Sequence, residues 1–244
     1  MAEGAGQDDL TYILNGFYDN ARKKSSKAEP GQVVFAPVLE TSNRHLIADA
    51  IRANSLTHSE VTLQIREQQH DDFRAKEKRT PVKLLALDEG HELVLSRAKV
   101  RPCLVVATAS GVDPNSLPAG PQRRLVGRAL VDAHVLAPIY SVSSSTSART
   151  FGPIITARIK ALMYPNFLYM PQSGLILSIP GVARLDRLFV CHLIYGVELT
   201  DLFVLPGVLA VCREQIRILL GESPSAEYTE VREILLSCLP VEAK

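Results

Sequence analysis

The residues of this chain that could do chemistry are few and scattered. Arg101 stands directly before Pro102 and the apolar run Cys103–Val106. Proline fixes its own φ and biases the residue before it toward an extended backbone. Arg101 is therefore expected to be a cation held by rigid backbone at the mouth of a buried strand over Lys99–Ala107. A guanidinium so placed can grip phosphate oxygens in bidentate fashion. On these residues alone, an arginine that merely begins a strand at the surface is the plainer reading. Asp71 and Asp72 form a carboxylate pair within a polar stretch, 66–80, that reads as an exposed loop. A metal-dependent hydrolase built on them and a histidine would need further ligands, and no ligand cluster is visible at suitable spacing. The six histidines are scattered, and His134 and His192 lie in apolar runs that suit core or rim positions. The four cysteines, Cys103, Cys191, Cys212 and Cys238, form no C-x-x-C and none lies at ligand spacing from a histidine. They read as buried free thiols of a reducing cytosol. The sequence contains no G-x-G-x-x-G, Walker loop, H-E-x-x-H or G-x-S-x-G. No metal or cofactor is expected.

Composition narrows the setting. The chain has 244 residues, 46% hydrophobic and 22% charged, which is ordinary for a globular protein with a sizeable core. A formal net charge of +1 means that any basic site must be local. Aromatic residues are 6% with no Trp, which argues against a site that stacks many bases on rings. The N-terminal MAEGAGQDDL lacks a basic segment and an apolar segment, so no signal peptide is expected. No apolar run reaches the roughly 18 residues of a membrane span. A cytoplasmic protein without membrane contact is expected.

The elements that would position Arg101 can be read from periodicity. Residues 8–24 carry Leu10, Ile13, Leu14, Phe17 and Ala21 at helical spacing, and Lys23, Lys24 and Lys27 follow as a helix end running into a loop. Gly31–Val38 is a β-type run that Pro37 consigns to an edge or a bend. Ser42 or Asn43 caps a short predicted helix through Leu46, Ile47, Ala50 and Ile51. Val61, Leu63 and Ile65 alternate with polar residues as a half-buried strand. Val82–Leu87 and Glu92–Leu95 flank Asp88-Glu89-Gly90 as a hairpin. After the Arg101 strand comes a loop at 110–122, then one or two strands over Val126–Ile139, then a hydroxyl-rich loop at 140–150. Ile154–Met170 reads as β-type runs broken at Pro165, and Leu175–Ile179 and Leu185–Cys191 as two more. Thr200–Gly221 holds a helix with Pro206 at its first position and Gly221 past its end. A last helix is capped by Ser225 and carries Tyr228, Val231, Leu235 and Cys238 on one face. Strands in the middle and helices at the ends give an α+β class.

The order of these pieces resembles the MazF/PemK family of toxin-antitoxin toxins. The matching segments are GQVVFAPV from Gly31, VRPCLVVA around Arg101, LAPIYS from Leu136, LILSIPGVARLDRLFV from Leu175 and LTDLFVLPGVLAVCREQIRILLG from Leu199. In that family a G-D-I-V-type strand opens the domain. An R-P-apolar strand, a strand ending A-P-I/L-T-S, a D-Q-I-R-like segment and a C-terminal helix follow. The resemblance covers Gly31–Val38 and roughly 99–221. It divides the chain into an N-terminal helical extension (1–30), a barrel domain (31–221) with a large insertion at about 39–95, and a C-terminal helix (222–244).

The resemblance implies a small SH3-like β-barrel (MazF/PemK/CcdB-like) with N-terminal and C-terminal helices. It implies a homodimer, a cognate antitoxin protein as partner, and metal-independent endoribonuclease activity on single-stranded RNA. In such enzymes the 2′-hydroxyl attacks the adjacent phosphate and leaves a cyclic phosphate end. Carried over, Arg101 acts on the phosphate. Tyr140 stands at the family threonine and Ser141 at the family serine, so either supplies the hydroxyl. Arg97 and Lys99 occupy the place of an acidic family element and become candidate contacts to RNA phosphates, as do Arg123, Arg124, Arg128 and Arg187. The alternative implied by these replacements is a catalytically inactive barrel that binds nucleic acid or a protein partner.

Overall fold

The computed structural model describes residues 10–40, 45–51, 61–73, 91–109, 133–142, 151–192 and 197–244. It is a mixed α+β structure whose described strand pairs are antiparallel. Two compact units emerge, one made of residues 1–37 and 100–244 and the other of Val38–Lys99.

The larger unit holds most of a seven-stranded sheet. Its strands are β1 (Gln32–Leu39), β5 (Ala98–Ala109), β6 (Ala133–Ser141), β7 (Phe167–Met170), β8 (Gly181–Arg184), β9 (Phe189–His192) and β10 (Glu198–Phe203). The hydrogen-bonded path runs β10-β1-β5-β6-β8-β7, with β9 also on β6, and does not close among the described residues. Gly31 explains why a glycine opens β1. At φ +88° its N–H donates to the Val105 carbonyl and its own carbonyl accepts from Val204, so one residue ties three strands in a conformation that side chains resist.

Strand β6 carries two partners on one edge. Ala133–Leu136 pair with β9, and Ile139–Ser141 pair with β8. Pro138 lies in the interval between them, a place where a missing ladder bond is tolerated. Between β5 and β6 the register slips between Val105 and Ala107, a bulge at Val106. Arg213 donates to the Val106 carbonyl there, at 3.2 Å from its Nη2.

Period-two alternation gives this sheet two distinct faces. Leu104, Val106, Ala137, Ile139, Leu168 and Ala183 point into the main core, where they meet Val208, Val211 and Cys212 of α3 (Pro206–Leu219) and Tyr228 and Leu235 of α4 (Ala226–Ser237). The opposite face carries Arg101, Tyr140, Val182, Arg184 and Phe167. Part of it is covered by α2 (Pro153–Lys160), whose Ile155 and Ile159 cluster with Val182, Phe167 and Tyr169.

The C-terminal helices begin and end where local chemistry says they should. Pro206 opens α3 and Gly221 follows it at φ +90°. Ser225 caps α4 by accepting from the Tyr228 N–H, and Glu214 of α3 accepts from the Ser225 N–H.

The smaller unit holds a three-stranded sheet, β3 (Thr62–Glu67), β2 (Leu46–Ile51) and β4 (Val94–Leu95). Arg66 bridges Asp49 and the buried Asp72 within it.

Five expected elements need correction. Residues 46–51 form strand β2 and not a capped helix, because β3 and β4 supply ladder partners on both sides. The N-terminal helix is one turn, α1 (Leu10–Ile13), since Asn15 (φ 52°) and Gly16 (φ 139°) turn the chain out of it. Residues 153–160 are helix α2, with Pro153 in its first turn, where a β-run was expected. Leu175–Ile179 forms no strand, and Leu175 is fully exposed. The segment before Pro206 is strand β10 rather than helix. The hairpin at Asp88-Glu89-Gly90 and the loops at 110–122 and 143–150 lie outside the described residues.

Candidate functional site

Strands β5 and β6 bring Arg101 and Tyr140 together. Cys103 pairs with Pro138, and continuing that antiparallel register by two residues sets Arg101 opposite Tyr140. Directly opposed residues share a face. Accordingly, the Arg101 guanidinium lies over the Tyr140 ring, 4.6 Å from its centroid. A second guanidinium, that of Arg187, lies 5.8 Å from the same centroid. Both distances fall within cation–π range. Arg187 reaches the ring from a short 3-10 turn, Leu185–Arg187, whose Leu185 is buried in the core and whose first N–H donates to the Asn166 carbonyl. Neither Arg101 nor Arg187 makes an ion pair with a described carboxylate. Two guanidinium groups that form no ion pair with a described carboxylate therefore converge on one half-buried phenol.

A third guanidinium stands alongside and is committed. Arg184 forms a two-pronged ion pair with Asp186, with Nε 2.7 Å from Oδ1 and Nη2 on Oδ2. Its guanidinium carbon lies 5.0 Å from the centroid of Phe167. Hydrogen bonding from Arg184 holds the Asp186 carboxyl below the usual carboxylate range, and the Asp186 carboxylate in turn raises Arg184. Farther along this face of β5, burial is the main cause that pushes the Cys103 thiol up to about 12, so it is inert as a nucleophile near neutrality.

The β6–β8 junction under Tyr140 is tight. A methyl added at Gly181 would meet Ile139 Cγ2 at 2.7 Å and the Tyr140 carbonyl oxygen at 3.1 Å. Gly181→Ala is expected to lower the melting temperature by roughly 2–12 °C, as overpacking of about 1–3 kcal/mol does in a chain of this size. Thermal unfolding by circular dichroism checks this.

The sites expected from sequence distribute unevenly. Arg101, Tyr140 and Arg187 are gathered. Ser141 is exposed at the end of β6, paired with Gly181, and the strand's alternation turns its side chain away from the Tyr140 face. Of the two hydroxyl-bearing residues, Tyr140 is the one whose ring meets the arginines. Arg97 and Lys99 are exposed and belong to the smaller unit. Arg123, Arg124 and Arg128 lie outside the described residues. The Asp71–Asp72 pair is not the solvated couple that was expected. Asp72 is buried, and both its oxygens are taken by Arg66 and by the Gln69 N–H. Among the described residues no group of three or more His, Cys, Asp or Glu side chains is placed to hold a metal ion. Arg184, Asp186 and Phe167 were not singled out from sequence. An Arg and an Asp two residues apart at a strand end were the available signal.

No family model, curated protein or solved structure matches this chain.

Proposed function

We propose that the Arg101–Tyr140–Arg187 cluster is the phosphodiester site of a metal-independent endoribonuclease that cleaves single-stranded RNA in the manner of MazF/PemK toxins. The observation that carries this reading is the convergence on one tyrosine of two guanidinium groups that pair with no described carboxylate; the resemblance puts Arg101 and Tyr140 in the family's active centre and Arg187 among the candidate RNA contacts. The seven-stranded sheet is, on this reading, the counterpart of the family's SH3-like barrel. Pairing of two copies and capture by a cognate antitoxin in the cytoplasm follow from the same resemblance.

The chemistry asked of these residues is modest. The 2′-oxygen of a ribose forms a bond to the adjacent phosphorus and the bond to the 5′-oxygen breaks. The 2′-hydroxyl gives up its proton and the leaving 5′-oxygen gains one. The products are a 2′,3′-cyclic phosphate and a 5′-hydroxyl. Negative charge grows on the non-bridging oxygens, where Arg101 and Arg187 stabilise it. The Tyr140 hydroxyl orients the phosphate or relays a proton.

Incubation of the purified protein with a long RNA, with and without EDTA, tests the proposal. Equal cleavage in both is expected. Cleavage abolished by the chelator would move the chemistry to a metal. One observation favours a second reading, binding without cleavage. Tyr140 replaces the family threonine and its ring is itself covered by guanidinium groups. Salt-sensitive retention of uncleaved RNA would select that reading.

A further inference from the structure

Arg184 differs from its two neighbours in a way that assigns it a different task. One edge is consumed by Asp186 through two hydrogen bonds, so its charge is locally balanced and two of its donors are engaged. Its guanidinium carbon lies over the Phe167 ring, 5.0 Å from the centroid. Phe167 is itself fixed, with the Phe151 ring at 5.4 Å and the Tyr164 ring at 6.2 Å in edge-on contacts. The Arg184 side chain nevertheless stays 23% exposed. A guanidinium held at one edge by a carboxylate and set over a ring is a weaker grip for a phosphate than one that pairs with no described carboxylate. It is a good platform for a planar π-system, because arginine planes stack on nucleobases.

The platform is also in the right place. Arg184 pairs with Phe167 across β7 and β8, and Tyr140 pairs with Val182, two residues from Arg184 on the same face. The platform and the Arg101–Tyr140–Arg187 cluster are thus diagonal neighbours on one sheet, a spacing of about 7–8 Å between backbone positions. A chain with a phosphate over Tyr140 would bring an adjoining base over Arg184.

The geometry points to Arg184, held by Asp186 on Phe167, as a base-stacking subsite for the nucleotide next to the bound phosphate. It rests on the single-stranded RNA reading above and adds to it a division of labour. Arg101 and Arg187 hold charge, while Arg184 holds a base.

The test uses the full chain and a short 2′-O-methyl RNA, which has no 2′-hydroxyl to attack. A matched set of strands carries one abasic site at each position in turn, leaving every phosphate in place. With wild-type protein, one abasic position is expected to weaken binding by about 5- to 100-fold. Arg184→Lys keeps the charge but loses the plane. It is expected to weaken binding of the intact strand by a similar factor and to erase the abasic penalty. The salt dependence of binding, which reports phosphate contacts, stays as in wild type. Equal binding of all abasic strands by wild type would overturn the base subsite while leaving the phosphate reading in place. A full abasic penalty in Arg184→Lys would overturn the assignment to Arg184. Failure of wild type to retain any strand would overturn the RNA reading itself.

Discussion

Arg101→Ala is expected to reduce RNA cleavage by about 10²–10³-fold, the usual loss when one preorganised charge-stabilising group is removed from a reacting centre. The same change should leave folding nearly untouched. Arg101 is half-buried at the start of the paired part of β5, and its described partner is the Tyr140 ring, a contact worth about 0.5–1 kcal/mol at such sites. Arg101→Lys should restore little, since an ammonium lacks the fork that fits phosphate oxygens. Growth arrest on expression, and its relief by Arg101→Ala, provides the cellular measurement. Cleavage unchanged in Arg101→Ala would remove this residue from the chemistry.

Three residues further along the same strand the expected effect reverses. Leu104 has no exposed surface and lies opposite Ala137 in the main core, in the cluster that includes Val208 and Cys212. Leu104→Ala removes buried methyl groups and leaves a cavity under α3, at a cost of about 2–5 kcal/mol. That corresponds to a melting temperature lowered by roughly 4–20 °C in a chain of this size. Urea denaturation should show a lower midpoint with an unchanged slope. A wild-type midpoint would mean that β5 does not turn Leu104 inward. That result would also remove the alternation that places Arg101 on the other face.

Elements governed by local chemistry were legible in the sequence, and those governed by partners were not. Pro206, Gly221 and Ser225 mark α3 and α4 because caps and breakers act within a few residues. The run Cys103–Val106 is apolar at every position because both faces of β5 are buried there. Leu46–Ile51 is too short for its periodicity to separate helix from strand, and β3 and β4 decide it. The β-branched Ile154, Ile155 and Thr156 suggest strand, yet Pro153 in the first turn and the packing of Ile159 make a helix. Leu175–Ile179 is apolar enough for a strand but pairs with no described strand.

The site divides along the same line. Arg101, Tyr140 and Arg187 could be named from ordered motifs, each being one residue in a short recognisable segment. Their contact depends on the register of β5 against β6 and on the 3-10 turn that swings Arg187 back to the ring. Arg184 does not stand out in the sequence because its setting is made by Asp186 and Phe167, and Phe167 is distant in sequence. That Tyr140 and not Ser141 shares a face with the arginines likewise follows from the strand's alternation, which the pair of adjacent hydroxyls does not reveal.

The end groups of cleaved RNA test the central claim most directly. A defined single-stranded RNA is incubated with the full chain in EDTA, and the product termini are identified by mass spectrometry. Fragments ending in a 2′,3′-cyclic phosphate, with 5′-hydroxyl partners, are the predicted result, and they should be absent with Arg101→Ala. Fragments carrying a 3′-hydroxyl and a 5′-phosphate, or intact RNA throughout, would contradict it.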